Sequence, residues 1–272
     1  GWGYVDLLQA YSLPVPTTVI AEMVGVSHQD EEKLRKSIRV LSEGLSGWSM
    51  LRTLAWDMPR AAAFIREMIA RKRAEPADDI LTGLIEAEEG GDRLTEDEIV
   101  AMLFLLIIAG YETTAHLITN MVIELLRHPD QLARLRADPS LIDGAVEEGL
   151  RYCGPVQGTK LAWASEDITR HGIVIPKGAP VEPILGAANR DPAVFEDPET
   201  FDIGRSPNRH LGFSHGNHFC LGAHLARLEA RIALGNLITR NPNLRLAVDP
   251  SELELQAMPL WHRHHGLPVV LG

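Results

Sequence analysis

A single thiol at the mouth of a helix is the most reactive feature of this chain. Cys220 stands in Phe213-Ser214-His215-Gly216-Asn217-His218-Phe219-Cys220-Leu221-Gly222, and the apolar positions Leu221, Leu225, Leu228 and Ile232 predict a helix after it. A thiolate is stabilised where backbone N–H groups and the positive end of a helix dipole point at it, so this sulfur is suited to binding a metal. Gly216 and Gly222 lack a Cβ, which lets the loop turn tightly and a flat group approach its backbone. A lone cysteine is ordinarily a small buried hydrophobe, and Cys153, which has no such setting, reads as core or partly exposed packing.

A second group of chemistry-bearing residues is Ala109-Gly110-Tyr111-Glu112-Thr113-Thr114, in the middle of a long apolar helical pattern. The small residues leave a groove. The Thr113 hydroxyl can take the carbonyl four residues back and loosen the helix, while Glu112 offers a carboxylate for proton delivery. From these six residues alone, an amphipathic core helix with a satisfied threonine and a surface glutamate is the better reading. Glu148 and Arg151, three apart on another predicted helix, share a face and can form a bidentate pair, a weak signal in isolation.

The elements that position these groups are mainly helical. Helices are predicted over residues 17–26, 30–45, 59–73, 78–88, 95–127, 129–137 and 141–152, with Thr95 and Glu98 as a capping box and His128-Pro129 as a stop. Short strands are predicted over 160–164, 171–175 and 181–185, around the turn Pro176-Lys177-Gly178. An irregular Pro- and Asp-rich stretch, 191–208, leads to the cysteine loop, a helix over 221–240 and strand-like segments at 244–248 and 253–256. The chain reads as one domain over 1–272, helical to residue 153 and built of small sheets, a meander, the cysteine loop and its helix over 154–272.

Composition removes several functions. A net charge of −11 argues against nucleic acid or an anionic membrane as partner, since both require a basic surface. Two cysteines give no disulfide framework. The longest apolar stretch, 99–109, is about half the roughly 20 residues of a membrane helix, so a soluble protein is expected. No Gly-rich dinucleotide fingerprint or iron–sulfur cysteine quartet is present.

The spacing Phe213-x-x-Gly216-x-x-x-Cys220-x-Gly222 resembles the haem-binding signature of the cytochrome P450 family, and Ala223-His224-Leu225-Ala226-Arg227-Leu228-Glu229 is similar to its bacterial soluble branch. Ala109 to Thr114 resemble the family's oxygen-activating motif, and Glu148-x-x-Arg151 its buried pair, with Arg205 as the candidate third member. The resemblance implies the P450 fold, mainly α with small β-sheets, and haem b held by Cys220 as axial ligand. Phe213, Gly216, Gly222, Ala109 and Gly110 would line the cofactor. It also implies Glu112 and Thr113 as the acid–alcohol pair, and for His218 either a propionate contact or a plain solvated loop position. Leu105, Ile108, Val156, Gln157, Leu260 and Trp261 are the candidate substrate contacts.

The activity implied is insertion of one oxygen atom from O2 into a small apolar substrate, with electrons from a separate donor of the ferredoxin and ferredoxin reductase type. The ligating thiol must stay reduced, so the cytoplasm is the expected compartment. Arg134, Arg136, His215 and Arg227 could form a basic patch for an acidic ferredoxin, or be ordinary solvated residues. The motifs place the chain on about the last two thirds of the family's length. The family's propionate-binding Arg is missing near position 162, where Lys160 is the nearest substitute. The alternatives are a haem-free accessory protein or inactive fragment, and a peroxide-driven enzyme; Glu112 and Thr113 favour dioxygen chemistry over the latter.

Overall fold

The computed structural model describes residues 4–27, 30, 33–34, 49–89 and 94–271. Most of the helix expected over 30–45 lies outside the described residues. The chain divides into two compact units, one of Leu13–Glu112 and one of Gly1–Ser12 with Thr113–Gly272.

The first unit is helical: α1 (Pro14–Met23), α2 (Ser49–Arg52), a wide turn at Thr53–Asp57, α3 (Met58–Ala74), α4 (Ile80–Glu89) and the first half of α5 (Glu96–Arg127). Thr95 and Glu98 close a capping box at the start of α5. The Thr95 amide donates to Glu98 Oε2 at 2.7 Å, and the Glu98 amide donates to Thr95 Oγ1 at 3.3 Å. Ile99, Leu103 and Ile107 recur every fourth residue, share one face and are buried with Ile20, Ile69 and Leu81 in one core. Each fully buried side chain of this size contributes about 2 kcal/mol. A Cβ on Gly110 would lie 3.3 Å from Ile20 Cδ1, so the glycine lets α1 and α5 approach closely.

The second unit holds the rest of α5, then α6 (Pro129–Ala137), α7 (Ile142–Tyr152), α8 (Leu185–Ala188) and α9 (Ala223–Arg240). Its sheets are small and antiparallel. β1 (Val5–Asp6) pairs with β7 (Pro268–Val270), which also pairs with β6 (Arg245–Leu246); β2 (Ala162–Trp163) pairs with β5 (Pro180–Val181), and β3 (Ile168–Arg170) with β4 (Ile173–Ile175).

Several boundaries differ from the sequence reading. The strand expected over 171–175 begins at Ile173, because His171 and Gly172 form the hairpin turn with φ of +50° and +78°. Residues 253–256 form no strand, only a bridge from Leu255 to His264. The helix after the cysteine starts at Ala223, and its expected apolar face points outward: Leu221 is 88% exposed, Ile232 52%. The buried face of α9 consists of Ala223, Glu229, Ala230, Ala233, Leu234, Leu237 and Ile238. The alanines let neighbouring helices approach, and the leucines that are buried, Leu234 and Leu237, lie off the expected face.

Among the described residues, one helix, α5, is long and apolar enough to cross a bilayer. Half of its apolar window is buried within the protein, and it buries Glu112, His116, Asn120 and Glu124, a pattern of a core helix.

Candidate functional site

The cysteine loop is fixed by its own backbone. The Cys220 amide donates to the Phe213 carbonyl at 2.9 Å, the Ser214 amide to Leu211, and the Phe219 amide to Gly216. Gly216 has φ +70° and Ser214 φ +62°, so the turn places a non-glycine residue in the left-handed region within the loop, at a local energetic cost. The Ala223 amide donates to the Cys220 carbonyl at 3.2 Å, which joins the loop to the first turn of α9.

Cys220 is half-buried and in no disulfide, whereas Cys153 is buried and its thiol is pushed well above its ordinary pKa by desolvation first and by Glu124 and Glu148 next. Cys153 is therefore a packing residue. Around Cys220 the surface is open and apolar. Cβ atoms built on Gly216 and Gly222 would meet nothing within 4 Å, and Phe219 and Leu221 are exposed. A soft sulfur donor flanked by open glycines and uncovered apolar side chains fits a flat hydrophobic group ligated through the thiolate, as haem is. His218 ends the short 3-10 turn Gly216–His218 and is exposed.

Behind the loop lies a buried ion network. The five N–H donors of Arg151 are all used. Nε and Nη2 bond Glu148 at 2.7 Å each; Nη1 bonds the carbonyls of Asn189 and Pro198, and Nη2 also bonds that of Thr200. Glu148 also accepts from Arg205 Nε at 3.2 Å, the Asp202 amide at 2.9 Å and Asn208 Nδ2 at 3.1 Å. Arg205 in turn bonds the carbonyls of Glu196, Asp197 and Thr200. The three residues thus tie α7 to the irregular segment that precedes the cysteine loop.

Glu147, next in the chain to Glu148, serves a different element. It accepts from Arg227 Nε at 2.6 Å and Nη2 at 3.0 Å, and from His210 Nε2 at 2.9 Å. Its carboxyl is held down at about 2; burial opposes this, and the bonds to His210 and Arg227 overcome it. Arg134 is paired with Asp202 at 2.8 Å. Two members of the expected basic patch, Arg134 and Arg227, are thus paired with carboxylates.

On α5, Glu112 is the last residue of the first unit, and Thr113 begins the longer segment of the second. Glu112 is buried rather than solvent-facing, Thr113 half-buried, and Ala109 exposed. Leu105 is exposed and Ile108 half-buried. The two candidate substrate segments of the second unit do meet. Val156 bridges Trp261, the Gln157 amide donates to the Leu260 carbonyl at 2.8 Å, and Leu260 sits at φ +60°. The Gln157 side chain is turned to the Gly154 carbonyl at 2.6 Å and lies against Gly186.

Two features escaped the sequence reading. Glu229 on α9 is buried, hydrogen-bonds Thr114 and leaves Oε2 without a hydrogen-bond partner; burial pushes its pKa up to about 7, opposed by the Thr114 bond. The cysteine helix therefore meets α5 one residue after Thr113. His116 and His264 are also buried, each with an unbonded Nδ1, and burial first and neighbouring histidines next lower each to about 4. The spacing of Thr114 and Glu229, over a hundred residues apart, gives no signal in one sequence.

Residues 55–252 match the family model described as cytochrome P450. Cytochrome P450 107B1 of Saccharopolyspora erythraea is 47% identical over 272 residues, covering 100% of this chain and 66% of the relative. The cytochrome P450 monooxygenase PikC of Streptomyces venezuelae is 42% identical over 268 residues, 98% of this chain and 64% of the relative. The crystal structure of the myxobacterial cytochrome P450 CYP267B1 with myristic acid superposes with a TM-score of 0.92 at 40% identity, covering 100% of this chain and 67% of that one. The chain thus spans somewhat less than two thirds of the length of the curated relatives.

Proposed function

Because the chain belongs to the cytochrome P450 family, we propose that it works as a haem-thiolate monooxygenase that places one oxygen atom of O2 into an apolar organic substrate. The observation that carries this reading is Cys220, a half-buried thiol with no disulfide partner in an open, apolar, glycine-flanked loop. Haem held through that sulfur supplies dioxygen binding and, through the electron-rich thiolate, cleavage of the O–O bond.

The chain's own residues do the rest. Cys220 holds the metal, and the Phe213 carbonyl fixes the Cys220 amide so that the sulfur keeps its orientation. Phe213, Gly216 and Gly222 would line a haem held by Cys220, Ala109 and Gly110 are further candidates for that role, and His218 would meet a propionate. Glu148, Arg151 and Arg205 anchor the segment that carries the loop. Glu112 and Thr113, adjacent on α5, carry the proton: the carboxyl gives it up and the hydroxyl passes it on.

Conversion of R–H to R–OH consumes O2, two electrons and two protons and releases one water. With Glu112 and Thr113 in the proton role, the electrons come from a separate donor, for which we favour a small acidic ferredoxin and its reductase. Val156, Gln157, Leu260 and Trp261, joined by the bridge between their two segments, would orient the substrate, and Leu105 and Ile108 on α5 are separate candidates for substrate contact. Their apolar majority matches long-chain or polycyclic substrates, in keeping with the myristic acid bound by the relative CYP267B1. A reduced, iron-binding thiol fits the cytoplasm.

The test is isotopic. The haem-loaded protein is supplied with a ferredoxin, its reductase, 18O2 and a panel of fatty acids and sterols, and products are read by mass spectrometry. One 18O per hydroxylated product is expected. Product formed only with hydrogen peroxide, or none with a loaded cofactor, would overturn the reading.

A further inference from the structure

The proposed site leaves Glu147 and His210 without a role, and Arg227 has so far been only a candidate member of a basic patch, yet the three form a tight cluster against the cysteine loop. The Arg227 guanidinium makes a two-pronged bond to Glu147 and lies 4.5 Å above the Phe213 ring centre, within cation–π range. Phe213 is the residue whose carbonyl receives the Cys220 amide. His210 completes the cluster. The Gly212 amide donates to its Nδ1 at 3.0 Å, so Nδ1 carries no proton, and Nε2 is the protonated nitrogen that donates to Glu147. His210 therefore enters as a neutral donor, and Arg227 is the cation that balances Glu147.

We propose that Arg227, clamped by Glu147, is a positioning residue for Cys220. It presses on Phe213 and so fixes the carbonyl that holds the Cys220 amide, and it keeps one permanent positive charge beside the cysteine loop. The adjacent glutamates divide the work, Glu148 bracing the segment before the loop and Glu147 bracing the loop itself. The raised pKa of Arg227 is in keeping with this: the Glu147 bonds are the main cause and burial opposes them. Lysine could not do the same, since it lacks both the planar face for Phe213 and the fork for Glu147.

The electrostatic part of this inference rests on Cys220 being the haem ligand, so two measurements are paired. In the haem-free protein, amide hydrogen exchange at Cys220 is compared in wild type, Arg227→Gln and Arg227→Lys. Loss of the brace should raise exchange there about five- to tenfold in both variants, with α5 amides unchanged. In the loaded protein, Arg227→Gln should shift the reduction potential to more negative values, since removing a cation disfavours the added electron, while Arg227→Lys restores most of the potential.

Unchanged Cys220 exchange and unchanged potential in Arg227→Gln would overturn the proposal. Should Arg227→Gln fail to fold, Glu147→Gln, which weakens the clamp without removing the cation, decides by the same exchange measurement. If Cys220→Ala keeps the thiolate-type carbonyl spectrum, the ligand reading fails on its own, and the exchange result still judges the brace.

Discussion

Replacing Glu229 by Gln should make stability change with pH in a defined way. Glu229 is only 6% exposed, and its carboxyl ionises near 7 rather than near 4.5 because burial disfavours the charge. An acid whose folded pKa is raised keeps its proton in the native state after the unfolded chain has released it. Its contribution to stability is therefore fully present below about 4.5 and is lost as pH rises through about 7. A shift of this size corresponds to about 3 kcal/mol at 1.36 kcal/mol per pKa unit. Glutamine retains the Thr114 hydrogen bond and does not ionise. The difference in unfolding free energy between Glu229→Gln and wild type, from urea titrations, should grow by about 3 kcal/mol in favour of the variant between pH 4.5 and pH 8. A difference that stays flat across that range would refute the buried, proton-holding carboxyl.

Three further outcomes follow from the same structure. His116 and His264, both lowered to about 4, contribute stability that is complete above about 6.5 and lost as pH falls toward 4; His116→Phe should flatten that acid limb by up to about 3 kcal/mol in urea titrations. Glu148→Ala strands two guanidinium groups against a buried gap and should cost about 3–5 kcal/mol in unfolding free energy, with haem retention falling in parallel. Thr113→Ala should leave haem content unchanged while raising the electrons consumed per product formed, measured as reductant oxidation against hydroxylated product.

The readable parts of the fold were the locally encoded ones. The capping box of Thr95 and Glu98, the stop at His128-Pro129 and the glycines around Cys220 are short-range signals, so α5 and the cysteine loop could be placed from the residues themselves. Non-local pairing could not. β1 and β7 match Val5 with Val269, and neither short strand, of two and three residues, has a pattern of its own. The leucine spacing around the start of α9 misled for a related reason: Leu221, Leu228 and Ile232 face outward, while the inner face mixes alanines with Leu234, Leu237 and Ile238 and so gives no single apolar stripe in the sequence. At the candidate site, residue types singled out Cys220 and the Glu112-Thr113 pair. Glu147 with Arg227, eighty positions apart, and Glu229 with Thr114 became visible only when the helices were brought together.

The central claim is that Cys220 binds haem through its thiolate. Its most direct test is the Soret spectrum of the haem-loaded chain after reduction and exposure to carbon monoxide, in wild type and Cys220→Ala. A strongly red-shifted carbonyl band that disappears in Cys220→Ala is the predicted result. A band that survives the substitution, or a chain that folds by circular dichroism and takes up haem without showing the band, would contradict it.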